Sequence, residues 1–528
     1  EDLLSDIFLN YESLPALQHT TSLSRTDDYD YVIITPDDPI FIQWADSLSI
    51  FRNEQGIRTG VVTTTEIGGN TVSAIENYID DAYNTWDNPP SAVLLIGDYG
   101  TAGSSIVSPI WNNYCVSDNI YADVTGNSMP DVILARMTAQ NEDQLTIMIN
   151  KVLDYERNPT TNQDFYDHPI TALGWQTERW FQICSETVGG FWQNELGKDQ
   201  VRINAIYDGN PDVDPWSTAT NTYSVLNVFG PNGLGYIPAS PSSLGGWSGG
   251  NAIDVNNAIN SGAFMLQHRD HGGITGWGEP DYDIGNLNGL NNEDLVFVFS
   301  INCLTGKYNA SQNSWAELFH RHEQGALGIT AASEVSYSFV NDTYVWGMYD
   351  NLWKNFLPQY GGDPSESDWI RPAFANAAGK YFLQQSSWPY NTNNKAVTYN
   401  LFHHHGCAFS TVHSEMPQQL TVSHADELMS GLETFDITAD EGALIGLSVD
   451  GGIIASVLAT GTMQTIGIPQ QVPDNTMKVT VTQQNHYRYS ADVAIISPDM
   501  YVIYYEVDYI ELGVHADDSY QSLDTLQI

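Results

Sequence analysis

The sequence predicts an α/β protein with two adjoining, mainly parallel sheets flanked by helices and followed by a C-terminal β-sandwich. Three observations support this prediction. Short apolar, β-branched runs alternate with segments of helical periodicity through residues 29–415. The chain has 528 residues, which is too long for one hydrophobic core. Beyond Pro417, short alternating runs are separated by turn-forming dipeptides, which is typical of a small sandwich.

The first α/β region is predicted over residues 29–158. Its strands are apolar runs suited to burial on both faces of a sheet, at residues 31–34, 61–62, 92–96 and 132–137. The intervening helices carry apolar faces formed by Phe41, Trp44, Leu48 and Phe51, by Val72, Ile75, Ile79 and Trp86, and by Leu145, Met148, Val152 and Tyr155. Alternating strands and helices favour right-handed crossovers and a parallel sheet.

A second α/β region is predicted over residues 159–415, with a separate sheet of its own. Its strands fall at residues 201–206, 263–267, 295–301 and 326–332, and a helix spans residues 314–322. The remaining segments are an N-terminal extension (1–28), the β-sandwich (416–498) and an extended tail (499–528).

The composition is strongly acidic, with 65 Asp and Glu residues against 18 Lys and Arg and a net charge of −47. Such a surface repels nucleic-acid phosphates and anionic membranes, so we expect no nucleic-acid partner. It suits cationic partners, divalent metals or a salty medium, and structural calcium is a secondary expectation. No apolar run approaches the roughly 20 residues that span a bilayer, so no membrane insertion is expected.

The four cysteines are widely spaced and form no CxxC pair, which fits neither a disulfide scaffold nor a zinc ribbon. The first residues lack the basic segment that opens a secretion signal, so we expect any such signal to have been removed. Few lysines and a β-rich C-terminal part indicate a secreted, extracellular protein.

Two predicted strands end in residues that can carry chemistry. The strand at 263–267 runs into His271, and the strand at 295–301 runs into Cys303. Carboxyl ends of neighbouring parallel strands meet at one edge of a sheet, where a thiolate and an imidazole can share a substrate carbonyl. Glycines after the histidine would bring backbone N–H groups close to the developing oxyanion. Taken singly, these residues are better explained as a buried structural Cys and a His in a turn, and only together, at matching strand ends, does the catalytic interpretation become an equal alternative.

A resemblance strengthens the catalytic interpretation. Residues 271–278 read His-Gly-Gly-Ile-Thr-Gly-Trp-Gly, and residues 300–306 read Ser-Ile-Asn-Cys-Leu-Thr-Gly. These segments resemble the catalytic region of the gingipains, which are caspase-like cysteine peptidases. Further matching blocks lie, in the same order, at residues 94–98, 117–121, 154–158, 315–318 and 329–333. The resemblance implies a caspase-like fold over roughly residues 29–410 and an immunoglobulin-like sandwich after it.

The resemblance also implies roles for individual residues. Cys303 would be the nucleophile and His271 the general acid/base, with the backbone N–H groups of Gly272 and Cys303 forming the oxyanion hole. Gingipains place a carboxylate behind the histidine, but this chain departs from their pattern there. Glu178 and Asp270 are the two candidates.

The resemblance further implies cleavage after Arg or Lys, through an acidic residue in the primary pocket. Glu186 is the only acid in the corresponding stretch, residues 183–188. A buried carboxylate would pair with a basic side chain, although a helix-start Glu favoured by the helix dipole is an equal explanation. Phe339 and Trp277 are the candidate aromatic residues of the pocket, and a core position suits Phe339 equally well.

Two further features have functional and structural explanations. His403, His404 and His405 are adjacent, but neighbouring residues of a strand point to opposite faces and match no zinc spacing. Arg25 lies in a polar stretch before the first strand, where a peptidase with basic specificity could process itself. The competing functions are an inactive acidic surface or adhesion protein on a peptidase fold, and a glycosidase with paired carboxylates.

Overall fold

The computed structural model describes residues 28–101, 103–358, 369–388 and 391–497. Ten strands in these ranges form one continuous sheet. They are β1 (Tyr31–Thr35), β2 (Thr59–Thr63), β3 (Ala92–Ile96), β4 (Ile133–Met137), β5 (Ile170–Gln176), β6 (Val201–Asp208), β7 (Met265–Arg269), β8 (Phe297–Ile301), β9 (Gly328–Ala332) and β10 (Phe402–His405). Their order across the sheet is β6-β5-β7-β8-β9-β10-β4-β3-β1-β2.

The sheet consists of two parallel halves that run in opposite directions. Strands β1 to β4 are mutually parallel, and so are β5 to β9. Strand β10 joins the halves, because it pairs antiparallel with β9 and parallel with β4. The carboxyl ends of β5 to β9 therefore meet at one edge, called the carboxyl edge below, and those of β1 to β4 meet at the opposite edge.

The α/β fold class is confirmed, but the two predicted sheets are the halves of a single sheet. The difference arises at β10, where the sequence Phe-His-His-His shows no apolar alternation. All four residues are nevertheless buried, since β10 lies in the middle of the sheet. Because this strand was not predicted from the sequence, the prediction contained no strand that joins the two halves, and it treated them as separate sheets.

Helices cover both faces of the sheet. They are α1 (Pro39–Glu54), α2 (Val72–Thr85), α3 (Asn119–Ala122), α4 (Glu142–Arg157), α5 (Gln163–Asp167), α6 (Phe181–Asn194), α7 (Thr222–Phe229), α8 (Ala252–Ser261), α9 (Trp315–Arg321), α10 (Val340–Leu352), α11 (Pro372–Gln385) and α12 (Lys395–Leu401). Successive strand residues point to opposite faces, so Leu173 and Ile301 lie in one core and Ala172 and Val298 in another. Burial on both faces explains the continuous apolar runs of these strands.

The C-terminal region is a sandwich of two sheets with a shared core. Its strands are β11 (Ser423–His424), β12 (Glu427–Met429), β13 (Thr434–Thr438), β14 (Leu444–Val449), β15 (Gly452–Leu458), β16 (Gln464–Gly467), β17 (Thr476–Thr482) and β18 (Tyr489–Ile496). One sheet has the order β11-β13-β16 and the other β12-β18-β17-β14-β15. The sandwich packs on α1, where Glu54 accepts a hydrogen bond from Arg488 at 2.9 Å. An immunoglobulin-like topology stays a prediction.

The segments 1–28 and 499–528 lie outside the described residues, apart from Asp28. The predicted domain boundaries therefore stay predictions. Within the described ranges, no helix combines the length and the apolar character needed to cross a membrane.

Candidate active site

The carboxyl edge brings His271 and Cys303 to matching positions on neighbouring strands. Strands β7 and β8 are parallel, and their register pairs Arg269 with Ile301. His271 and Cys303 each follow that last pair by two residues, so the two segments leave the sheet at the same edge. A Cβ atom added to Gly272 would lie 2.8 Å from the Cys303 carbonyl oxygen, so the two segments are in direct contact.

Cys303 lies in a loop held by Ser336. The backbone N–H of Ser336 donates to Cys303 Sγ at 3.3 Å, and Ser336 Oγ donates to the Asn302 carbonyl at 2.8 Å. Leu304 has a φ of 64°, in the left-handed region, which turns the chain sharply after Cys303. Cys303 is partly exposed, whereas Cys115, Cys184 and Cys407 are buried. A partly exposed thiol is accessible to a substrate, whereas the three buried thiols are not.

The His271 ring contacts three other side chains. Its Nε2 lies 2.9 Å from Gln176 Oε1, and Phe181 packs edge-on at 5.3 Å between ring centroids. Tyr207 packs against it at 4.9 Å. The register between β5 and β6 shifts between Ile206 and Asp208, and this bulge re-aims Tyr207 towards the histidine.

The electrostatic surroundings favour a neutral imidazole. Burial lowers the pKa of His271, and the nearby cations Arg269 and Arg179 lower it further, whereas Glu178 acts in the opposite sense. Arg269 lies beneath the site, where its Nε donates to Asp342 at 2.6 Å and its guanidinium stacks over Phe181 at 4.2 Å.

The two candidate carboxylates lie in different places. Glu178 does not touch His271, but its Oε1 accepts a hydrogen bond from Gln176 Nε2 at 2.7 Å. Asp270 is buried close to Gly174 and Gly278, and it accepts from the Glu279 N–H at 2.7 Å. Burial raises the pKa of Asp270 to about 7, and its hydrogen bonds run to backbone N–H groups rather than to the His271 ring. Glu178 is thus connected to His271 through Gln176, and Asp270 supports the loop.

The three residues predicted to bind substrate are buried against internal partners. Glu186 accepts from Arg202 Nη2 at 2.7 Å and from its Nε at 2.9 Å. Trp277 stacks on His268 with ring centroids 3.9 Å apart, and Phe339 packs edge-on against Trp180. None of the three is more than 4% exposed, so the structure brings none of them to an open surface beside the dyad.

The three adjacent histidines have structural positions in β10. Burial lowers the pKa of His403 to about 4 and of His404 and His405 to about 3, so all three are neutral. Among the described residues, no group of three or more His, Cys, Asp or Glu side chains is placed to hold a metal ion. Arg25, the predicted processing site, lies outside the described residues.

Sequence reasoning missed Gln176, Tyr207, Ser336 and Arg269. Each lies near His271 or Cys303 on a different strand or loop. Neither its residue type nor its spacing in the sequence identifies it as part of the site. The position of Gln176 at the end of β5 was the one available signal, because a predicted β5 strand would have placed it at the same edge as His271.

The fold and the dyad can be compared with known proteins. A sequence model of Peptidase family C25 matches residues 24–410. The chain belongs to this family.

Curated relatives of this C25 chain include Gingipain R2 from Porphyromonas gingivalis, which is 22% identical over 508 residues. That match covers 94% of this chain and 61% of Gingipain R2. Lys-gingipain from the same organism is 20% identical over 439 residues, covering 79% of this chain and 23% of the relative. This chain therefore spans between about a quarter and three fifths of these relatives.

The solved structures of similar proteins include the crystal structure of the Arg-specific cysteine proteinase gingipain R. It superposes with a TM-score of 0.71 at 17% sequence identity, covering 89% of this chain and 99% of that one. This likeness confirms the caspase-like fold that the resemblance implied.

Proposed function

We propose that this chain is a secreted cysteine endopeptidase in which Cys303 is the nucleophile and His271 the general acid/base. The observation that carries the proposal is that the paired strands β7 and β8 lead, two residues past their last pair, into His271 and Cys303 at the carboxyl edge. Membership of Peptidase family C25 supports a peptidase with protein or peptide substrates. The reaction needs no cofactor, since the thiol and the imidazole supply both groups.

The proposed reaction has two steps. His271 accepts the thiol proton as Cys303 Sγ bonds to the scissile carbonyl carbon, and the backbone N–H groups of Gly272 and Cys303 stabilise the oxyanion. The C–N bond then breaks, and the leaving amine takes the proton from His271. A water molecule next attacks the thioester, which releases the acid and restores the thiol.

We further propose cleavage after Arg or Lys. The names of Lys-gingipain and of the Arg-specific gingipain R support this specificity. The net charge of −47 also attracts basic substrates. Glu186 is not suited to bind them, because its carboxylate is already paired with Arg202.

A panel of fluorogenic peptides that differ only in the residue before the scissile bond tests this function. We expect turnover of the Arg and Lys peptides, and loss of turnover in Cys303→Ala and after iodoacetamide treatment. Peptide mapping should find alkylation at Cys303 while the three buried thiols stay unmodified. Inert thiols and no turnover of any peptide would instead support the inactive surface or adhesion protein.

Self-processing at Arg25 and structural calcium belong to the same proposal. Intact-mass measurement should show wild-type protein that begins after Arg25 and Cys303→Ala protein that does not. Fully active wild type that retains residues 1–25 would refute processing.

Removal of calcium with a chelator is expected to lower the melting temperature without abolishing the initial rate of turnover. An immediate loss of turnover would contradict a purely structural role for calcium.

A further inference from the structure

On the basis of the proposed function, we propose that Gln176 is a positioning residue that fixes the tautomer of His271. In this arrangement Glu178 acts on His271 through the Gln176 amide. The histidine is thus oriented by a neutral amide that a carboxylate holds in place.

The relay consists of two hydrogen bonds. Glu178 Oε1 accepts from Gln176 Nε2 at 2.7 Å, and Gln176 Oε1 lies 2.9 Å from His271 Nε2. Gln176 is the last residue of β5, which pairs directly with β7, the strand that leads into His271. Gln176 is 7% exposed, so water competes little for the hydrogen bonds of its amide.

The backbone of the relay is fixed by Gln182 on α6. Gln182 Nε2 donates to the carbonyl groups of Gln176 and Arg179, at 3.2 and 2.9 Å. The Arg179 N–H also donates to the Gln176 carbonyl, at 3.0 Å. Both ends of the turn that carries Glu178 are therefore pinned to the helix behind it.

The chemistry of the two side chains determines which way the amide faces. An ionised carboxylate only accepts hydrogen bonds, so the NH₂ end of Gln176 must face Glu178. The amide oxygen then faces His271 and only accepts. His271 Nε2 must therefore carry the proton, and Nδ1 keeps the lone pair that can take the thiol proton of Cys303.

The rings beside the histidine complete the arrangement. Phe181 meets the imidazole edge-on, and Tyr207 covers it from β6, so both restrict its rotation. The charged and titratable groups that act on or contact the ring are Arg269 on β7, Arg179 and Glu178 on the turn after β5, and Tyr207 on β6. The cations and burial outweigh the single carboxylate and lower the pKa of His271. A neutral amide partner leaves the pKa of His271 lowered, whereas a carboxylate at position 176 would raise that pKa.

Nuclear magnetic resonance of the full chain labelled with ¹⁵N-histidine tests the proposal. The resonances of His271 are assigned by their absence in His271→Gln. We expect the Nε2–H tautomer in wild type and a mixture of tautomers in Glu178→Gln, where the amide is free to flip. In Gln176→Glu a carboxylate contacts the ring directly, so the pKa of His271 should rise by about 1 to 3 units. Glu427→Gln, which removes an exposed carboxylate on β12 of the C-terminal sandwich, is the matched control and should leave His271 unchanged.

Kinetics separate positioning from substrate binding. Glu178→Gln and Gln176→Leu should lower kcat by about 10- to 100-fold with little change in KM, because they disturb the proton-transfer geometry only. An Nδ1–H tautomer in wild type, or a His271 tautomer and pKa unchanged in both Glu178→Gln and Gln176→Glu, would overturn the proposal. Since the spectra need no substrate, a wild type with the expected tautomer but no peptidolysis would refute the proposed function and leave the relay standing.

Discussion

At the residue scale, Cys303 and His271 are held by different kinds of contact. Cys303 accepts a backbone N–H from Ser336, and His271 contacts the side chains of Gln176, Phe181 and Tyr207. A backbone contact is insensitive to most substitutions, whereas each side chain around the histidine can be replaced separately. Most mutational sensitivity of the site should therefore lie on the His271 side.

Gly272 and Gly273 provide a matched pair for testing the contact between the two catalytic segments. A Cβ at Gly272 would lie 2.8 Å from both Asn302 Cγ and the Cys303 carbonyl oxygen, whereas a Cβ at Gly273 meets nothing within 4 Å. We expect Gly272→Ala to lower kcat/KM by about 100-fold or more, because displacing reacting groups by about 1 Å costs that much. Gly273→Ala should retain near wild-type kcat/KM, and equal losses in both variants would contradict the assigned contact.

Glu186 should matter for stability rather than for specificity. Removing its carboxylate leaves Arg202 without its ion-pair partner, and breaking a largely buried pair costs up to about 3 kcal/mol once the partial exposure of Arg202 is taken into account. We therefore expect Glu186→Ala to lower the urea midpoint and to leave the ratio of Arg to Leu peptide turnover unchanged. A stable variant that loses only its preference for Arg and Lys would restore the sequence-based prediction.

At the element scale, the strand that joins the two halves of the sheet is also the most polar one. Sequence patterning predicted β7 and β8 from the apolar residues 263–266 and 295–299, and the segments that follow these runs contain His271 and Cys303. It failed at β10, where burial of three histidines depends on packing that only the assembled sheet provides. Sequence reasoning also assigned Glu186 to a substrate pocket. It could not identify Arg202 as the ion-pair partner of Glu186, because Arg202 lies on a different element, β6.

Buried neutral histidines in β10 make the fold sensitive to acid. The pKa of His404 falls to about 3 in the folded chain, from an ordinary value near 6.5. Between these values the unfolded chain binds a proton that the folded chain does not, so stability is lost as the pH falls below about 6.5.

His404→Phe isolates this effect, because His404 already stacks on Phe297 at 5.7 Å and a second ring can replace it. Wild type should lose stability relative to the variant by up to about 1.4 kcal/mol per pH unit between pH 6 and 4, measured by urea unfolding. Comparing the two proteins cancels the opposite contributions of Asp270 and Glu317, whose pKa values are raised to about 7. Parallel stability curves for the two proteins would contradict the burial of a neutral His404.

At the scale of the whole molecule, the acidic excess is concentrated on the surface. Arg52, Arg136 and Arg269 form buried ion pairs within the fold. Their positive charges are therefore neutralised inside and do not offset the carboxylates on the surface of this chain of net charge −47. The composition correctly indicated acidity, but it could not show that these cations lie inside. The predicted N-terminal extension and tail lie outside the described residues and stay predictions.

Salt should stabilise the molecule as a whole. Raising the ionic strength shortens the Debye length from about 30 Å at 0.01 M to about 3 Å at 1 M, which screens the repulsion among surface carboxylates. We expect the melting temperature to rise steadily with sodium chloride over this range, as followed by calorimetry. A melting temperature that falls with salt would show that surface ion pairs outweigh the repulsion.

The central claim is that Cys303 reacts as a nucleophile with His271 as its base. A peptidyl acyloxymethyl ketone ending in Arg tests it. The attacking thiol displaces the carboxylate from the methylene carbon of the ketone and forms a thioether with that carbon. Mass spectrometry of wild-type protein should find one adduct, mapped to Cys303, and the labelling rate should fall by about 100-fold or more in His271→Gln. An adduct on another cysteine, or a labelling rate at Cys303 that does not depend on His271, would contradict the account.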